Sequence, residues 1–163
     1  MRPQIAKATR MIHAPGAEIY NIIADYRTMH PLILPKPYFL YLDVEEGGLG
    51  EGTIVNFGMR ILGQTRSFRA LITEPKPGQV LVETDLASGV ATRFVVSPLQ
   101  NGGRTQVTIS TELQGRNLLE SFLAKRMLEK IYAQELELLA RAAGEHSALL
   151  PSSIAGTHST AMK

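Results

Sequence analysis

Residues 104–143, RTQVTISTELQGRNLLESFLAKRMLEKIYAQELELLARAA, change periodicity once, at Gly115. Before it, Val107, Ile109 and Thr111 alternate with Thr108 and Ser110, the two-residue rhythm of a strand. After it, Leu128, Ile131, Tyr132, Leu138, Leu139 and Ala142 recur at intervals of three, four or seven, the rhythm of a helix with one apolar face. No proline or glycine interrupts 116–143, so the spacing predicts a helix of roughly 40 Å at 1.5 Å per residue, with Gly144 as its stop.

Upstream, the strand signal covers some 75 residues. The expected strands are Tyr38–Glu45, Thr53–Leu62, Thr65–Glu74, Gln79–Leu86, Val90–Leu99 and Arg104–Leu113. Gly47-Gly48, Gly63-Gln64, Pro75-Lys76-Pro77-Gly78, Ser88-Gly89 and Asn101-Gly102-Gly103 separate them, and links this short imply an antiparallel meander. Ile5–His13 reads as one further strand. Ala14-Pro15-Gly16 then opens a short helix over about 15–25, with Ile19, Ile22 and Ile23 at helical spacing. A second helical turn over Tyr26–His30 is compatible with the pattern. Pro31, Pro35 and Pro37 then impose an extended crossing to the meander. A sheet with one apolar face must cover it, and the long helix is the only element large enough. The expected class is α+β: a curved, antiparallel seven-stranded sheet wrapped around the terminal helix, with one or two short helices after the first strand.

The chain has 163 residues, 44% of them hydrophobic, and a formal charge of +2 with its charges interspersed. One domain is expected over 1–144, followed by a small, polar, flexible tail over 145–163. The small basic excess points to no nucleic-acid partner, and no run of about 18 apolar residues provides a transmembrane segment. The start shows no secretory pattern, so a cytoplasmic location is expected. With no cysteine, thiolate chemistry and disulfides are excluded. No HExxH motif, GxSxG elbow or GxGxxG spacing is present, so no metal, no cofactor and no identifiable catalytic group are expected.

IHAPGAEIYNIIADY, FRALITEPKPGQVLVETD and RTQVTISTEL followed by the long helix, taken in that order, resemble the helix-grip fold of the START-like (SRPBCC) superfamily, across about residues 4–143. That superfamily contains polyketide cyclases and dehydrases, coenzyme Q-binding proteins and lipid-transfer domains. The resemblance implies an elongated cavity between the concave sheet face and the terminal helix, holding a hydrophobic or amphipathic small molecule. It does not imply one activity, because function belongs to the site and not to the fold.

Alternation along the strands gives a lining for such a cavity: Val55, Phe57, Met59 and Ile61, then Phe68, Ala70 and Ile72, then Val80, Val82 and Thr84, then Thr92, Phe94 and Val96, and finally Val107, Ile109 and Thr111. Arg66 shares the phase of Phe68. Its guanidinium is expected at the mouth, solvated or paired with an acid or with an anionic ligand group, whereas Arg60 and Arg69 face solvent. Tyr26 and His30 either present a phenol and an imidazole on one turn, able to bond a carbonyl or move a proton, or place a partly exposed histidine before a proline turn. On the helix, Phe122, Met127, Leu128, Ile131 and Tyr132 read as core or as ligand contacts. Glu45, Glu46, Glu74, Glu83, Asp85 and Glu112 show no pairing and read as solvated.

The candidate ligand-binding set is therefore Tyr26, His30, Phe57, Met59, Arg66, Phe68, Phe94, Ile109, Met127, Ile131 and Tyr132. The leading expectation is a small-molecule binder, monomeric or homodimeric. A polyketide cyclase/dehydrase-like enzyme and a protein-interaction module are the alternatives.

Overall fold

The computed structural model describes residues 3–115 and 117–149. The elements are β1 (Gln4–Ile12), α1 (Gly16–Ala24), α2 (His30–Ile33), β2 (Phe39–Glu46), β3 (Ile54–Ile61), β4 (Gln64–Lys76), β5 (Val80–Asp85), β6 (Ala91–Pro98), β7 (Thr105–Leu113) and α3 (Leu118–Leu149). The seven strands form a single sheet in the order β1-β7-β6-β5-β4-β3-β2, with every neighbouring pair antiparallel. This is the helix-grip arrangement that the element order predicted. β1 and β2, consecutive in sequence, lie on opposite edges, and the α1–α2 segment carries the chain between them.

The long helix begins where Asn117 caps it, its side-chain oxygen accepting the Leu119 amide at 3.0 Å. Arg116, the expected first residue, lies outside the described residues. α3 packs against β1, β7, α1 and α2, and buries Ile131, Tyr132, Leu136, Leu139 and Ala143 in the core with Ile19, Ile23, Phe94, Val107 and Ile109. Because α3 covers the β1–β7 side, the other half of the concave face is left uncovered by helix.

Two expectations about helices are corrected. Gly144 does not stop α3, which continues to Leu149. A glycine ends a helix when it turns left-handed, and Gly144 is not among the glycines with positive φ, so it costs the helix only propensity. The rest of the expected tail, 150–163, lies outside the described residues. Residues 26–29 form turns, and the second helix starts at His30 and not at Tyr26.

The phase of β5 is also corrected. Directly opposed residues in an antiparallel pair point to the same side. Ala70 opposes Asp85 and Ile72 opposes Glu83, so Leu81, Glu83 and Asp85 face inward with Ala70 and Ile72. Val82, opposite the exposed Arg93, belongs to the outer face with Val80 and Thr84. Hydrophobicity misled here because the branched residues of β5 sit on the outside, whereas two acids occupy the concave face. Across β3, β4, β6 and β7 the expected inward sets hold their phase.

Replacing Leu139, fully buried at the centre of α3, with alanine is expected to lower the unfolding free energy by about 2–5 kcal/mol in urea titration. Glu137→Ala, on the exposed side and paired with Arg141, should change it by less than about 0.5–1 kcal/mol.

Candidate functional site

The uncovered half of the sheet and the N-terminal half of α3 enclose a cavity of about 360 Å³. Its walls are Val55, Phe57, Met59 and Ile61 of β3, Arg66, Phe68 and Ala70 of β4, Glu83 and Asp85 of β5, Thr92 and Phe94 of β6, and Thr111 and Leu113 of β7. Ala124, Leu128, Tyr132 and Glu135 of α3 form the roof, and His30, Leu34, Phe39 and Leu42 the side. Phe57 stacks on Phe68 with ring centroids 5.3 Å apart and is tilted against Phe39 at 6.1 Å, giving the cavity one aromatic wall.

The α1–α2 corner delivers the polar groups. Tyr26 N donates to Gly48 O at 2.9 Å and Gly50 N to Ala24 O at 3.0 Å, so the β2–β3 loop fixes the corner. The approach is close enough that a Cβ on Gly48, whose φ is +133°, would meet the Arg27 side chain at 2.4 Å. Thus anchored, Tyr26 and His30 stack with centroids 4.2 Å apart, and His30 meets the edge of Phe94 at 6.0 Å. His30 is 2% exposed, which overturns the reading of a partly exposed histidine.

His30 Nδ1 lies 2.6 Å from Ile23 O. A carbonyl only accepts, so Nδ1 carries the hydrogen, and Nε2 of the neutral ring is left facing Glu83 Oε1 at 3.6 Å. Burial lowers the His30 pKa, and the Glu83 charge opposes that shift. Tyr26 donates its hydroxyl to the same Glu83 oxygen at 2.6 Å, and burial followed by the Glu83 charge raises the Tyr26 pKa. On the other side, Tyr132 OH and Thr111 Oγ1 are 2.5 Å apart, and Thr111 Oγ1 and Thr92 Oγ1 are 2.7 Å apart. Tyr132 is pushed up to about 12, chiefly by burial.

Glu135, one turn of α3 beyond Tyr132, is 2% exposed. Burial, and then the charge of Glu83, holds its carboxyl well above the usual range. Sequence reasoning passed over it and read Glu83 as solvated. The signal was present, because Glu135 falls on the apolar stripe, seven residues after Leu128 and four before Leu139. An acid at such a position is either paired or directed into a cavity.

Of the expected site residues, His30, Phe57, Met59, Arg66, Phe68, Phe94 and Tyr132 line the cavity. Tyr26, Ile109, Met127 and Ile131 are not on its wall. Tyr26 stands behind His30, Ile109 and Ile131 are fully buried in the core, and Met127 receives the Leu62 amide on its sulfur at 3.3 Å. Arg66 is exposed at the rim, its guanidinium 3.4 Å from Gln64 Oε1, and no acid among the described residues pairs with it. Arg69 lies on the outer face, paired with Glu45 at 2.7 Å. Phe122 is exposed. Among the described residues no cluster of histidine and carboxylate side chains has the makings of a metal site, and no helix is long and apolar enough to cross a membrane.

A hydroxyl donor and an imidazole both reach Glu83, the threonine–tyrosine chain lies opposite, and apolar rings form the rest. Such an arrangement can orient a largely apolar molecule by a few polar contacts.

Tyr26→Phe should lower stability by about 1–3 kcal/mol, because Glu83 then loses its hydroxyl donor while staying partly buried; chemical denaturation measures this. Glu135→Gln should flatten the pH dependence of stability. With the folded-state pKa raised, the folded chain holds the Glu135 proton where the unfolded chain releases it. The stability from the protonated form is present below about pH 4.5 and is lost as pH rises towards the folded value. The variant should therefore gain on the parent protein as pH rises above about 4.5 in melting experiments.

The comparisons agree with this geometry. The sequence model of the family described as "polyketide cyclase / dehydrase and lipid transport" matches residues 3–144. No curated protein matches the chain. Among solved structures, the solution structure of KanY protein (ms6282) is 26% identical, with a TM-score of 0.78 over 88% of this chain and 99% of that one. Zhui aromatase/cyclase from Streptomyces sp. R1128 is 13% identical, with a TM-score of 0.73 over 90% of this chain and 96% of that one. A START superfamily protein from Mycobacterium smegmatis is 17% identical, with a TM-score of 0.61 over 89% and 98% of the two chains. The last two likenesses are of fold. Matched over most of its length and folded as a helix grip, the chain belongs to the polyketide cyclase/dehydrase and lipid transport family.

Proposed function

We propose that the protein binds a hydrophobic or amphipathic small molecule in the cavity between sheet and α3. The open interior carries this reading: about 360 Å³ lies between the aromatic wall of Phe57 and Phe68 and the buried polar end at His30, Glu83 and Glu135. A space within the usual size of ligand sites, lined mainly by apolar side chains with a few convergent polar groups, fits ligand binding better than a structural role. Burying roughly 300 Å² of apolar ligand surface would contribute about 7.5 kcal/mol, near micromolar affinity before the costs of association. Apolar contact would supply affinity and the polar end orientation.

The enzymatic alternative, an activity like that of a polyketide cyclase or dehydrase, draws support from one observation. Tyr26 and His30 converge on a single carboxyl oxygen, a cluster in which an imidazole nitrogen and an acid can exchange a proton beside a bound molecule. Arg66 and Tyr132 do not join that cluster. A protein-interaction module would fit a filled interior better than the open cavity, which gives that reading no support.

A neutral fluorescent probe, N-phenyl-1-naphthylamine, should bind one-to-one, and Ala70→Phe should weaken binding by about tenfold or more, because the ring occupies the space beside Phe68. Exposed apolar side chains at the start of α3, Leu118, Leu119 and Phe122, offer another place for such a probe. Unchanged binding in A70F together with loss in Leu119→Ser would locate the probe there and overturn the cavity reading.

A further inference from the structure

Two acids, Glu83 and Glu135, line the inner end of this cavity, and the one imidazole there, His30, faces Glu83. Glu83 already accepts the Tyr26 hydroxyl and faces His30 Nε2. Glu135 is 2% exposed, lines the cavity, and receives no hydrogen bond from any described residue. Of the other charged or titratable groups on the walls, Asp85 on β5 is held by the Ser88 amide and hydroxyl at 2.9 and 2.6 Å, and Tyr132 on α3 is bonded to Thr111. Arg66 on β4, the only lysine or arginine among the described residues of the cavity wall, is exposed at the rim beside Gln64. Among the described residues, the inner end therefore has two carboxyls and no lysine or arginine.

The geometry points to a subsite for the protonated nitrogen of an amphipathic amine, held between Glu83 and Glu135 while its apolar body lies along Met59, Phe57 and Phe68 towards the rim. This rests on the ligand-binding reading above and gives it a substrate class. A carboxylate ligand would bring a third acid to the pair. An alcohol or ketone would bond the Glu135 carboxyl but bring no charge to balance that of Glu83. An ammonium group has three donors and a charge opposite to both, so it satisfies Glu135 and lets the two carboxyls stand together.

Binding then has a proton balance that can be read. The Glu135 carboxyl, whose pKa burial raises in the empty cavity, releases its proton to solvent as the ammonium group, already charged, takes its place; no covalent bond forms or breaks. Affinity for the amine should therefore rise with pH until the amine itself deprotonates. His30, Tyr26, Glu83, Asp85 and Tyr132 are the other titratable groups facing this end.

Three probes sharing one ring system isolate the headgroup: 2-(1-naphthyl)ethylamine, 2-(1-naphthyl)ethanol and 1-naphthylacetic acid. Calorimetry at about pH 7.5 in two buffers of different ionisation enthalpy reads both affinity and proton release. The amine should bind about tenfold tighter than the alcohol and the acid weakest, with up to about one proton released per amine bound. In Glu135→Gln the amine's advantage over the alcohol should fall to about threefold or less, and proton release should vanish.

Equal binding of amine and alcohol by the unaltered protein overturns the subsite and leaves the cavity reading standing, provided that A70F abolishes alcohol binding. An amine preference that survives both E135Q and Glu83→Gln also overturns it. Failure of all three probes to bind overturns the ligand-binding reading itself. The ranking in the unaltered protein needs no variant to fold, so the proposal stays open to refutation if E135Q is unstable.

Discussion

One stripe of α3 against the concave face of the sheet supports the remainder of the molecule. A seven-stranded sheet with an apolar face is not stable in water until that face is covered, and Ile131, Tyr132, Leu136 and Leu139 cover it beside β1 and β7. The same helix stands off the β2–β6 side, and the cavity is what remains between the sheet and the N-terminal half of the helix. Binding capacity and stability thus come from a single contact, with core at one end of the helix and a roof at the other.

The polar end of the cavity depends on a second constraint, the anchoring of the α1–α2 corner by the β2–β3 loop. Backbone bonds from Tyr26 and Gly50, with a glycine at position 48 that lets Arg27 lie close, hold the corner so that Tyr26 and His30 stack beside Phe94 and reach Glu83. The prolines at 31, 35 and 37 follow this corner and lead the chain to β2 at the far edge of the sheet. A segment that reads in isolation as a stiff connection also serves as the support for a buried imidazole.

Much of this architecture was readable from one chain. Strand after strand kept its alternation, the turns carried their glycines, and the stripe of α3 kept its spacing, because each of these patterns is imposed locally by backbone geometry and by the need to bury one face. The aromatic and aliphatic lining from β3, β4, β6 and β7 followed from the same alternation, and Arg66 at the rim followed from its phase.

The acids did not follow. Whether Glu83 points inward depends on its pairing opposite Ile72, a register between strands that no property of β5 alone reveals and that the outward valines argue against. Glu135 carried a local sign, an acid on an apolar stripe, but its meaning rests on which groups another element places across the cavity from it. His30 likewise became a buried group only because a loop some twenty residues later ties down its corner. Periodicity is a property of the chain, so element order, fold and the apolar wall could be read from it. The meeting of His30, Glu83 and Glu135 is a property of distances between elements, and those exist only once the sheet, the corner and the helix have packed.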